Sequence, residues 1–106
     1  MFTRVVEVTS KPGKAKELCQ TVEDKVLPIM RKLQGFKDEI VLISQSDPDR
    51  VLAISFWNSR QDAERYQREQ FPKVTETIRN LCTADPEVET YDVALSTSHQ
   101  ITTKAA

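Results

Sequence analysis

Apolar and polar residues alternate over 2–10, with Phe2, Val6 and Val8 on one side and Thr3, Val5, Glu7 and Thr9 on the other. A period of two predicts a strand. Lys11-Pro12-Gly13 breaks it, and Ala15, Leu18, Cys19, Val22, Val26, Ile29, Met30 and Leu33 then keep helical spacing. Pro28 lies inside that run. At ~100° per residue it falls opposite the apolar stripe, so it should remove one hydrogen bond, to the Asp24 carbonyl, and bend the helix without ending it. Gly35 is placed as the helix stop. Residues 36–44 and 50–57 read as two strands joined by the turn Gln45-Ser46-Asp47-Pro48-Asp49. Ser59 can cap a second helix running to about Gln70, with Asp62 favourable in its first turn. Phe71-Pro72 resets the chain. A third helix over about 73–81 carries Val74, Ile78 and Leu81, and residues 87–95 form the last strand.

The order β-α-β-β-α-α-β predicts an α+β, ferredoxin-like domain over residues 1–95. Two βαβ units with right-handed crossovers give an antiparallel four-stranded sheet, helices on one face, strands one and three central. Residues 96–106 read as a polar C-terminal tail. A sheet covered on one face should be polar on the other, yet strand three offers Leu52, Ile54 and Phe56 on one face and Val51, Ala53 and Trp57 on the other. Strand two does the same with Ile40 and Leu42 against Val41 and Ile43. A second copy packed sheet to sheet is the economical cover, with Ala53 assigned to the interface face. The competing solution is a monomer with its tail folded under the sheet. Glu7 falls on the interface face, where a carboxylate needs an ion-pair partner or an opening to water.

At 106 residues the chain has one domain's worth of core. Its net charge of −1 gives no field for nucleic acid or anionic lipid. No apolar run approaches the ~20 residues of a membrane span, and the opening residues lack the pattern of a leader, so a cytoplasmic protein is expected. Cys19 and Cys82 match no metal or redox spacing and read as reduced, packed thiols. With 2 glycines there is no phosphate-cradling loop, and with a lone histidine, His99, in the tail there is no catalytic triad. No metal site and no cofactor are expected.

Three segments carry a family resemblance: KPGKAKEL at the first helix, LPIMRKLQGF at its end, and VLAISFWNSRQDAERY from strand three into helix two. The chain resembles the antibiotic-biosynthesis-monooxygenase-like domain of the dimeric α+β barrel superfamily. That resemblance implies a homodimeric α/β barrel, and it admits cofactor-free oxygenation of quinols and anthrones, haem degradation, or no activity. The haem-degrading branch places asparagine, tryptophan and histidine where this chain has Val6, Tyr66 and Glu76, so haem turnover is not expected. The ligand-pocket candidates are Val6, Trp57, Tyr66 and Glu76. Trp57 ends a central strand, where aromatics usually wall the core. Tyr66 should point at the sheet, where its phenol could hydrogen-bond a substrate or move a proton, and it is the catalytic candidate. Glu76 sits nearer the polar side of its helix. The expected function is binding, with cofactor-free oxygenation, of a small apolar aromatic or quinol-like molecule. Against it stands a non-catalytic ligand-binding or accessory homodimer; two or more polar groups converging in the pocket would favour the enzyme, and Tyr66 is the candidate the sequence offers.

Overall fold

The computed structural model describes residues 1–101; the last five residues of the expected tail lie outside the described residues. Strands β1 (Phe2–Thr9), β2 (Phe36–Ile43), β3 (Arg50–Trp57) and β4 (Glu87–Asp92) form one sheet in the order β2-β3-β1-β4. All three pairings are antiparallel, and β1 and β3 are central as the two crossovers imply. Helices α1 (Ala15–Thr21), α2 (Leu27–Met30), α3 (Arg60–Glu69) and α4 (Phe71–Ile78) complete the ferredoxin-like α+β fold. No helix among the described residues is long and apolar enough to cross a membrane.

The first helical run continues through Pro28, which is exposed. A π-turn over Val22–Val26 precedes it, in which Leu27 N–H donates to the Val22 carbonyl five residues back. The wider turn lets the helical run pass through a residue that has no N–H to give to the carbonyl four residues back. Helix ends at Met30, short of Leu33, and Gly35 turns the chain with φ of 83°. Ser59 caps α3 as its side chain predicts: Asp62 N–H donates to Ser59 Oγ at 3.2 Å, and the hydroxyl donates back to Asp62 Oδ2 at 2.9 Å.

Register assigns the faces. Phe2, Arg4, Val6 and Val8 of β1 pair with Trp57, Ser55, Ala53 and Val51 of β3, and this row meets the helices. Ala53 therefore faces the helices, which corrects its assignment to the opposite face. Thr3, Val5, Glu7 and Thr9 share the open face with Leu52, Ile54 and Phe56. On that face Ile40, Leu42 and Tyr91 are 42%, 45% and 48% exposed, and Glu7 stands opposite Glu87. The tail reaches the same face at one point: His99 Nε2 lies 3.2 Å from Asp38 Oδ2, and its ring centroid is 5.3 Å from that of Phe56. It leaves Ile40 and Leu42 in the open. Lys37 is an extra residue in β2, a bulge between Phe36 (opposite Trp57) and Asp38 (opposite Phe56). The bulge puts Glu39 and Val41, as well as Phe36, on the helix side.

Candidate active site

Two apolar clusters fill the space between sheet and helices. One gathers Val6, Val8, Leu18, Val51, Ile78 and Cys82; the other gathers Val26, Met30, Trp57, Ala63, Tyr66 and Val74. Between them the central strand carries only Ala53 and Ser55, side chains too small to reach the helices. A cavity of about 50 Å³ remains there, open to solvent at its mouth. Val6 forms part of its floor, and Met30, Phe71 and Val74 part of its helical wall.

Four polar side chains enter this apolar space: Arg4, Glu39, Ser55 and Tyr66. Arg4, Ser55 and Glu39 stand in one row across β1, β3 and β2, since both Arg4 and Glu39 are the register partners of Ser55. With strands ~4.8 Å apart, the acid and the cation lie on opposite sides of the Ser55 strand, with backbones ~10 Å apart. Ser55 Oγ accepts the indole N–H of Trp57 at 2.9 Å, which fixes its orientation and leaves its own O–H to donate.

Arg4 is 2% exposed. Its guanidinium carbon lies 4.9 Å from the Tyr66 ring centroid and 4.6 Å from that of Phe71, and Nη2 donates to Gln67 Oε1. Burial lowers its pKa, opposed by Tyr66 and Glu39. A cation held against two aromatic faces in a partly desolvated site keeps much of its electrostatic reach.

Tyr66 is buried, and its ring packs 5.1 Å from Trp57. Burial pushes its phenol up to about 12, with Arg4 pulling down and Glu39 pushing up. Near neutral pH it therefore keeps its proton and acts as a hydrogen-bond donor. Glu39 differs in kind. Its Oε1 is buried and meets no hydrogen-bond partner among the described residues. Burial raises its carboxyl from 4.5 to about 7, against the pull of Arg4 and with a further push from Asp38. Such a group can hold or release a proton at physiological pH.

Of the expected pocket residues, Val6 and Tyr66 come together in the cavity. Trp57 is fully buried behind them, edge-on to Phe36 at 5.6 Å between centroids, and supports Tyr66 without lining the space. Glu76 stands outside, exposed and paired with Arg79 at 3.0 Å. Arg4 and Glu39 escaped the sequence reading, although Arg4 shares the phase of Phe2, Val6 and Val8, and Glu39 that of Val41. Among the described residues no group of three histidine, cysteine or acidic side chains is placed to hold a metal.

The fold and cavity together define a small α+β domain with an apolar space between sheet and helices on which a few polar groups converge. Residues 1–78 match the family model described as antibiotic biosynthesis monooxygenase, and the chain belongs to that family. No curated protein matches it. Among solved structures it is similar to a Streptomyces coelicolor monooxygenase determined in complex with nanaomycin D (TM-score 0.76, 19% identity, 90% of this chain and 88% of that one). It is also similar to SnoaB, a cofactor-independent oxygenase of Streptomyces nogalater (0.75, 17% identity, 92% and 97%), and to a conserved protein of Methanosarcina mazei (0.70, 17% identity, 86% and 91%). At these identities the likeness is one of fold.

Proposed function

We propose that the protein is a homodimeric oxygenase that needs no cofactor and acts on a flat, electron-rich aromatic of the quinol class. The observation that carries this reading is the convergence of Arg4, Glu39 and Tyr66 on an otherwise apolar cavity. An apolar wall suits a planar ring, and the cation and the phenolic donor suit the oxygen on which charge gathers when the ring is deprotonated. Such an anion can pass electrons to dioxygen without help from the protein; the cavity supplies position and low dielectric. For a naphthohydroquinone the balance is the quinol plus dioxygen giving a hydroxynaphthoquinone plus water, one oxygen atom entering the ring. The free thiols Cys19 and Cys82 suit a reducing, cytoplasmic setting.

The test is uptake of isotope-labelled dioxygen with naphthohydroquinone, above the autoxidation rate. One labelled atom should appear in the product. Tyr66→Phe should lower the rate about 10²-fold with the fold intact, the usual cost of losing one donor to a developing oxyanion. Tight binding of the quinol with no uptake above background would leave a ligand-binding homodimer in place of the oxygenase.

Support for the dimer comes from the open sheet face, where Ile40, Leu42 and Tyr91 adjoin Val5, Leu52, Ile54 and Phe56. At ~25 cal/mol per Å², covering that face favours pairing by many kcal/mol before association costs. Ile54, which pairs with both Val5 and Ile40 at the centre of the face, is the residue to perturb. Light scattering should give about twice the 12.1 kDa chain mass for the native protein and a single mass for Ile54→Lys. A monomeric native protein would overturn the dimer.

A further inference from the structure

The cavity holds four polar side chains, and three are already accounted for. Ser55 Oγ accepts the Trp57 indole N–H. Arg4 rests on two aromatic rings and donates to Gln67. Tyr66 keeps its proton near neutral pH and can still donate it in a hydrogen bond. Glu39 is left with a buried oxygen, no hydrogen-bond partner among the described residues and a position on the cavity wall. A fold that gained only stability at this position would use an aliphatic residue, as it does at Val41, next on the same face of β2, because an unpaired buried carboxyl destabilises the domain.

We propose that Glu39 is the catalytic base of this cavity, taking a proton from a carbon or hydroxyl of the bound aromatic while Arg4 and Tyr66 hold the oxygen that becomes negative. This assignment rests on the oxygenase reading and specifies its chemistry. In the row across the sheet the acid stands on the β2 side of Ser55, and the cation stands on the β1 side beside the phenol of α3. A fused-ring molecule lying over Ala53 and Ser55 would turn one edge to Glu39 and the other to Arg4 and Tyr66. The ligand class is therefore a flat carbon or oxygen acid whose acidic hydrogen and charge-bearing oxygen lie on opposite edges of a ring, as in an anthrone. The proton passes to the Glu39 carboxylate, and the pair of electrons from the broken C–H bond moves through the ring to the carbonyl oxygen. No oxidant enters this step; dioxygen reacts afterwards with the anion.

Ionisation of Glu39 sets the pH dependence. The titratable groups that share the cavity with it are Arg4 from β1, Tyr66 from α3 and Cys19 from α1, and Asp38 is its neighbour on β2, turned to the other face. Burial raises the Cys19 thiol, so it stays neutral. Arg4 is the one cation among these groups, and it favours the carboxylate. Activity should fall about tenfold per pH unit below a midpoint near 7.

Proton abstraction can be read apart from oxygenation. In deuterated buffer under nitrogen, the full-length protein should accelerate exchange of the methylene hydrogens of anthrone, followed by proton NMR. Glu39→Gln should lose this exchange by about 10²–10⁴-fold, while binding of anthraquinone, a flat analogue with no acidic hydrogen, changes little. Glu39→Asp, which keeps the carboxylate on a shorter arm, should retain part of the rate. Exchange that survives Glu39→Gln, or no acceleration by the native protein, would overturn the assignment of Glu39. Oxygen uptake that persists without Glu39-dependent exchange would sink the base and leave the oxygenase reading standing. Glu39-dependent exchange without oxygen uptake would do the reverse.

Discussion

Arg4→Ala should lower the unfolding free energy by about 3 kcal/mol in a urea titration, while Arg4→Met should leave it within ~1 kcal/mol of the native value. The contrast follows from what the side chain does in the core. Arg4 fills space between Tyr66 and Phe71 and satisfies Gln67. Alanine empties that volume, with the cost of a large-to-small core substitution. Methionine refills much of it. It forgoes the cation–π contacts, worth ~1–2 kcal/mol together, and also relieves the burial of a charge, a cost of similar size or larger. Both variants should lose the anion site, so each should bind a naphtholate about 10²-fold more weakly than the native protein does. Both should also move Glu39 above its value of about 7, because Arg4 is what pulls it down. If Arg4→Met proves as unstable as Arg4→Ala, the buried charge itself contributes to the fold. The separation of its packing role from its charge would then be wrong.

Gly35→Ala is expected to be among the most damaging single substitutions in the chain, at ~3 kcal/mol or more by thermal unfolding. Gly35 has a φ of 83°, a region in which a side chain costs about 1–2 kcal/mol. An added Cβ would also sit 2.6 Å from Asp62 Cβ and closer still to its carboxylate. Asp62 cannot retreat cheaply. Ser59 Oγ donates to its Oδ2 at 2.9 Å and Arg65 Nη1 to its Oδ1 at 3.0 Å, while the neighbouring Asn58 N–H is tied to the Gly35 carbonyl at 2.8 Å. Gly13 is the control: its φ is 73°, yet nothing lies within 4 Å of an added Cβ. Gly13→Ala should cost only the backbone strain. Equal losses at the two glycines would mean that the Asp62 contact yields easily.

Most of the elements were legible because each period is long enough to be unambiguous. β1 alternates over its whole length, and the helical stripe resumes in phase after Pro28. The sheet order follows from right-handed crossovers alone. Face assignment was harder, because β3 is apolar on both sides and period two does not say which side meets the helices. The row that does meet them is the one with the small residues, Ala53 and Ser55, since a cavity is kept there; the bulkier Leu52, Ile54 and Phe56 look outward. The site was legible in part. Tyr66 follows from its place on α3. Arg4 hid in plain alternation, where a charge reads as a surface residue until two aromatic faces and a glutamine amide are placed around it. Glu39 hid behind the bulge, because counting by twos from Phe36 puts Asp38, Ile40 and Leu42 inside. Glu76, expected near the pocket, stands in solvent with Arg79 because its turn of α4 faces away from the sheet.

The bulge at Lys37 works like a vernier. Without it, straight pairing from Phe36 and Trp57 would bring Asp38 opposite Ser55 and Ile40 opposite Ala53. With it, Glu39 and Val41 occupy those places. Either setting offers the same sequence of textures to the interior, an acid followed by an aliphatic residue, so a slip of this edge strand would keep the pattern and change only the fit. The carboxyl would sit on an arm one methylene shorter, and a bulkier isoleucine would press into the space that valine leaves open. One residue of slack in the outermost strand thus tunes how much room the interior has and how far its acid reaches.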